Sequence, residues 1–209
     1  MTLHQLIINN LAILEKAPEV AAEIDDKVMR AIDTRVAKWA SRQTDWWEKE
    51  DYEKNFCQFG PKNWPINQEE NVYKALYCLG HTAENDDEFQ YNVSALCGAV
   101  PFEFGIWFGV DATWITRLVG RGTRPKGVWQ KFLASQLLQR PSLHNAGFRL
   151  IHGDLFLPVH LLVNDLANAY PDALDDAFVP LDEALSKLEI AHSEIDAIVS
   201  AAADEFGRS

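Results

Sequence analysis

Arg117, Arg121, Arg124, Lys126, Lys131, Arg140 and Arg149 stand in a stretch between Asp111 and Asp154 that holds no carboxylate. All 31 acidic residues lie outside it, with only 12 of the 19 bases. Charge sorted this unevenly sets up a field that steers partners by sign. The densest part, Arg117-Leu-Val-Gly-Arg-Gly-Thr-Arg-Pro-Lys-Gly127, mixes glycines with positive charge and runs into a helix start near Pro125. Exposed backbone N–H groups, cationic side chains and a helix N-terminus are the parts from which anion sites are built. Arg117, Arg121, Arg124, Lys126 and Lys131 are therefore the candidate anion-binding residues. The spacing is neither that of a P-loop nor that of a dinucleotide-binding glycine turn. The plainer alternative is a structural loop whose arginines pair with carboxylates elsewhere in the fold.

A second group is His152, Asp154 and His160, placed on a hairpin between two short strands. Leu150-Ile-His-Gly-Asp-Leu-Phe-Leu-Pro-Val-His-Leu-Leu-Val163 resembles the catalytic loop of the aminoglycoside phosphotransferase and kinase-like family. There the aspartate of His-Gly-Asp is a base, and an asparagine five residues on holds a metal. Here that position is Val159, and no glycine-rich strand loop with a following lysine strand precedes it. The residues themselves read as a turn at Gly153-Asp154, with two strand histidines flanking it. His4, His81, His144 and His192 fall in no metal-ligand spacing either. Cys57, Cys78 and Cys97, about twenty residues apart without a C-x-x-C pair, suit buried reduced thiols in strands. Neither a serine nucleophile elbow nor the carboxylate and lysine pattern of a nuclease core is found. No catalytic residue, metal or cofactor is expected.

The third group is acidic. Glu84, Asp86, Asp87 and Glu88 cluster in one link, and Asp172, Asp175 and Asp176 in another; from Asp154 onward twelve acids face two bases. A negative surface of this kind attracts a basic partner and speeds its association. Ordinary solubility explains the same surface more plainly.

The elements that position these groups follow from periodicity. Thr2 caps a first helix that reaches Pro18, and Pro18 starts a second that runs to Arg42, with Val20, Ile24, Val28, Ala31, Ile32, Val36 and Trp39 on one face. Thr44 to Glu53 reads as an exposed charged segment anchored by Trp46 and Trp47. Strands are expected at Tyr73 to Leu79, Phe89 to Cys97 and Phe102 to Val110, forming an antiparallel meander, with Phe56 to Phe59 as an added edge. Gly105 and Gly109 share the face of Trp107 and leave room for another backbone or a ligand. A helix follows from Pro125 to Gln139. Strands at Phe148 to His152 and Leu155 to Leu162 come next, the second an edge or bulged strand because of Pro158. A short helix near Asn164 to Tyr170 precedes the last one, Pro180 to Phe206. That helix carries Leu181, Ala184, Leu185, Leu188, Ala191, Ile195, Ile198, Val199 and Ala202 as a single stripe.

The expected fold is α+β: a mainly antiparallel sheet of about five strands within residues 55–163, with N-terminal and C-terminal helices packed on it. One domain over 1–209 accounts for the chain, helical over 1–43, sheet and basic loop-helix over 55–163, helical again over 164–206. With 209 residues, 47% of them hydrophobic, the chain is long enough to bury a sizeable core. No run of about 18 apolar residues and no secretory signal is present, so the expected setting is cytoplasmic, without a membrane. Functionally the sequence favours a non-catalytic acidic protein-binding module, an inhibitor or regulator of a basic, nucleic-acid-handling partner. The alternative is a phosphate, nucleotide or nucleic-acid binding protein or enzyme using Arg117 to Lys131 and the hairpin. Nucleic acid enters only through that basic loop.

Overall fold

The computed structural model describes residues 2–49, 57–67, 72–84, 91–119 and 124–206. Asp86, Asp87, Glu88 and Arg121, and the proposed strand's Phe89, lie outside them.

The chain opens with α1 (Leu3–Asn9), whose N-terminus carries a capping box: Thr2 accepts from the Gln5 N–H and Gln5 from the Thr2 N–H. The break after it falls at Asn10 rather than at Pro18. Helix α2 (Leu11–Ala40) runs straight through Pro18. A proline removes only one N–H from the ladder, and the later half of α2 is fixed by burial of Val28, Met29, Ile32 and Val36.

Among the described residues the strands are β1 (Trp46–Lys49), β2 (Gln58–Pro61), β3 (Pro65–Asn67), β4 (Val72–Tyr73), β5 (Ala75–His81), β6 (Phe104–Val110), β7 (Arg149–Ile151) and β8 (Asp154–Val159). Six of them form one sheet in the order β1-β2-β5-β6-β8-β7, antiparallel at every pairing, and β3-β4 make a separate ribbon. The fold is α+β with terminal helices packed on the sheet, as the periodicity implies, but several elements differ in place. The segment around Phe56 to Phe59 yields β2, which is not an edge, because Trp46–Lys49 pairs outside it. The first long strand is shifted to Ala75–His81.

The larger difference is at Tyr91 to Cys97. Its alternation suggests a strand, yet Asn92–Leu96 is a helix, α3, and β5 pairs directly with β6. The reason lies outside the segment. Asp25 of α2 accepts from the Val93 N–H at 2.7 Å and from Asn92 Nδ2 at 3.3 Å, and the Tyr91 hydroxyl donates to the Pro18 carbonyl at 2.9 Å. A carboxylate from another helix thus caps α3, whose own N-cap offers no side-chain bond. Burial raises the Asp25 pKa, and the hydrogen bonds from Val93 and Asn92 pull the other way.

The remaining helices are α4 (Ala112–Val119), α5 (Pro125–Leu138), α6 (Pro141–Asn145), α7 (Val163–Ala169) and α8 (Val179–Phe206), with a 3-10 helix at Leu174–Phe178. Pro141 opens α6. Every residue of the stripe read on the last helix is buried in α8.

One face of the sheet receives the helices. Tyr77, Phe108 and Leu155 are in register across β5, β6 and β8, as are Leu79, Ile106 and Leu157. Trp46 does pack inward: its ring stacks on Tyr77 at 5.5 Å and meets Trp39 of α2 edge-on at 5.1 Å. Beneath α8 a polar pair is threaded into these rings. The Tyr77 hydroxyl lies 3.0 Å from His192 Nδ1, and Trp64 Nε1–H donates to Asp196 at 2.7 Å. Desolvation lowers the His192 pKa, against the raising pull of Asp196.

On the other face Trp107 and Phe156 are cross-strand partners with rings 4.7 Å apart, and Arg149 sits over Phe156. Gly105 is where close approach matters. A Cβ there would stand 2.2 Å from the Leu157 carbonyl oxygen and 2.7 Å from the Phe156 ring. At Gly109 a Cβ would meet nothing within 4 Å.

Candidate functional site

The basic stretch divides between two helices. Arg117 belongs to the last turn of α4, a helix capped by Asp111, whose Oδ1 accepts from the Thr113 and Trp114 N–H groups at 2.7 and 3.0 Å. Arg124 is the N-cap of α5, Pro125 its first residue, and Lys126 and Lys131 follow on it. Arg117, Arg124, Lys126 and Lys131 are all exposed. None makes an ion pair within 4 Å among the described residues. Arg149 does, with Glu103, and Arg140 bonds Gln136.

Arg124 and Lys126 stand at the mouth of a cavity of about 460 Å³ between the end of β6, α4 and the start of α5. Its apolar side is Val110, Ala112 and Ile115. Trp129, one turn into α5, closes the far side with Asp154, the first residue of β8. Trp129 is 2% exposed, and its buried indole N–H faces the Asp154 carboxylate without reaching full hydrogen-bond geometry. Burial raises the Asp154 pKa; Lys126, the Trp129 N–H and His152 each lower it. The N-cap Arg124 makes no side-chain bond to the first-turn N–H groups of α5, and Pro125 at its start has no N–H to offer. Apolar walls with a few converging polar groups are the usual make-up of small-molecule sites.

The hairpin residues do not converge. His152 and Gly153, with φ of 51° and 88°, occupy the two-residue turn between β7 and β8, so the tight pair is His152-Gly153 rather than Gly153-Asp154. Gln130 of α5 donates to the His152 carbonyl at 2.7 Å, while His152 Nε2–H donates to the Thr82 carbonyl at 3.1 Å. Nδ1 of the same ring is 3.5 Å from Glu84. His152 and Glu84 thus brace the turn. His160 is at the opposite end of β8, against Gly98, and is exposed. Asp154 alone of the three reaches the cavity.

The acids Asp172, Asp175 and Asp176 gather before α8. Arg35 of α2 binds Asp182 through two nitrogens at 2.9 and 2.6 Å and Asp175 through a third at 2.8 Å. Asp172 and Asp176 are exposed with no ion-pair partner among the described residues. The 28-residue α8 begins beside this cluster, and its Phe206 ring meets Phe132 of α5, 5.2 Å away. At 1.5 Å per residue α8 is about 40 Å long.

Of the cysteines, none of which is in a disulfide, Cys57 is buried, Cys78 lies in β5 and Cys97 stands at the end of α3 rather than in a strand. Burial pushes the Cys78 thiol up to about 12, with Asp154 adding to the effect. Among the described residues no group of three His, Cys, Asp or Glu is placed to hold a metal ion, and no helix is long and apolar enough to cross a membrane. Trp129, Val110, Ala112 and Ile115 are missing from the sequence-derived site because each reads as an ordinary core position. The one signal pointing to Trp129 is its place three residues after Lys126, on the same helix face.

No family model matches this chain, and no characterised protein or solved structure is found to resemble it.

Proposed function

We propose that the protein acts by binding, without chemistry of its own, as an acidic protein-binding module: an inhibitor or regulator of a basic, nucleic-acid-handling partner. The observation that carries this reading is the gathering of Asp172, Asp175 and Asp176 with Asp182 and Glu183 at the head of α8, where Arg35 is the cation that pairs with them among the described residues and Arg30 and Lys38 of α2 lie along the same cleft. An excess of exposed carboxylates at one end accelerates encounter with a cationic surface and substitutes for phosphates in occupying it.

The test reverses each end separately. Asp172→Lys with Asp176→Lys and Glu183→Lys is compared with Arg117→Glu plus Lys131→Glu in capture from the native host, followed by association kinetics with the captured protein. The acidic reversal is expected to slow association by about tenfold or more at low salt and to flatten its salt dependence. The basic reversal leaves both unchanged. Capture indifferent to the acidic reversal sinks the reading.

A second reading, anion binding at the basic end, is favoured by Arg117, Arg124 and Lys131 having no carboxylate partner among the described residues. It predicts that an oligonucleotide or phosphate ligand binds with a steep salt dependence and is weakened by Arg117→Ala with Lys131→Ala.

A further inference from the structure

The cavity at the start of α5 is more than a basic patch, since its charge sits on the rim of an apolar pocket. We propose that it binds a small organic monoanion, with the apolar body against Val110, Ala112 and Ile115 and a carboxylate head held by Arg124 and Lys126. This rests on the anion-binding reading and narrows it to a ligand class.

Three observations support the assignment. At about 460 Å³ the cavity lies within the range of small-molecule sites, about 300–1,000 Å³, and holds a two-ring body. Its charge is two cations, Arg124 and Lys126, against one acid, Asp154. With Asp154 ionised the excess is one positive charge, which a monoanion neutralises and a phosphate dianion overshoots. The head group is also placed beside a helix start to which the N-cap Arg124 makes no side-chain bond, and where the peptide dipoles favour negative charge. Nucleic acid fits this pocket poorly, because a backbone of repeated phosphates needs an open groove rather than apolar walls.

The experiment uses the full chain and isothermal titration with 2-naphthoate, its neutral counterpart 2-naphthamide, inorganic phosphate and a single-stranded oligonucleotide. Naphthoate is expected to bind about tenfold or more tighter than naphthamide, the discrimination given by charge-assisted hydrogen bonds to its head. Lys126→Ala and Arg124→Ala should each weaken naphthoate, with circular dichroism confirming the fold. Asp154→Asn should tighten it, because the pocket's excess charge rises from one to two. Ala112→Phe, at an exposed position in the first turn of α4, should block naphthoate by filling the apolar side.

Equal binding of naphthoate and naphthamide, weaker binding in Asp154→Asn, or unchanged binding in Ala112→Phe overturns the proposal. If phosphate or the oligonucleotide binds while naphthoate does not, the pocket assignment falls and anion binding at the basic end stands. If no anion binds, both fall.

Discussion

His192 shows how a single titratable side chain ties the core to pH. Its ring is packed against Trp46 and Trp64, meets the Tyr77 hydroxyl through Nδ1, and has Asp196 as the charged group nearby. Desolvation outweighs the Asp196 carboxylate, so the folded-state pKa lies below the ordinary 6.5. As pH falls from 6.5 the unfolded chain takes up a proton before the folded one does, and stability is lost through that window. Above 6.5 the contribution is whole. The stability difference between the natural protein and His192→Gln, from urea melts, should therefore shrink as the pH is lowered from about 7.5 to about 5.5. A difference that stays constant, or grows, refutes the assignment. Asp25 and Asp154 work in the opposite direction, since their pKa values are raised. Their contribution is full below 3.8 and is lost as pH rises through the raised values, which is why the comparison is made against a His192 variant rather than from one curve alone.

At the level of elements, the sheet is defined by how closely β8 approaches β6. The Phe156 ring lies on Gly105, and the Leu157 carbonyl stands where a Cβ at that position would go. Backbone cannot retreat as a flexible side chain does, so Gly105→Ala is expected to destabilise by about 3 kcal/mol or prevent folding, the upper end of overpacking effects. Gly109→Ala, four residues along the same strand and facing open space, should be neutral or stabilising by about 0.5–1 kcal/mol, because alanine has less freedom to lose than glycine in a strand. Denaturant midpoints for the two variants settle the contrast, and comparable losses at both positions refute it. These two glycines share an alternation that is plain in the sequence, but which of them is crowded depends on β8, some fifty residues downstream. The same distinction runs through the fold. The stripe of α8 and the alternation of β6 are properties of one segment and are legible from it. Helix α3 is not, because the Asp25 carboxylate and the Pro18 carbonyl that select it over a strand lie on α2. For the site, the cations Arg124 and Lys126 were readable from charge, whereas Trp129 and Ile115 become pocket walls only once α4 and α5 are packed against the end of β6.

Over the whole molecule, the net charge is −12, and among the described residues the acids at the head of α8 form ion pairs with Arg35, while Arg30 and Lys38 line the same cleft without pairing with them. Two effects of salt oppose each other here. Screening weakens the Arg35 pairs with Asp175 and Asp182, which contribute modestly because these aspartates are largely exposed. Screening also relieves repulsion among Asp172, Asp175, Asp176, Asp182 and Glu183, and the self-repulsion of an acidic chain as a whole. Bidentate geometry at Arg35 protects its pair with Asp182 better than solvent-exposed repulsions are protected. The repulsive part is thus the more readily screened, over a Debye length that falls from about 30 Å at 0.01 M to about 3 Å at 1 M. Thermal stability should consequently rise with sodium chloride from about 0.01 M to about 0.5 M, the reverse of a protein held together by surface ion pairs. The double variant Asp172→Asn, Asp176→Asn removes two charges that form no ion pair among the described residues, and leaves the Arg35 pairs in place. It should begin at a higher melting temperature in low salt and gain less from added salt. Melting curves measured in both proteins across that range decide the matter, and stability that declines with salt would mean that pairing, rather than repulsion, governs the acidic end.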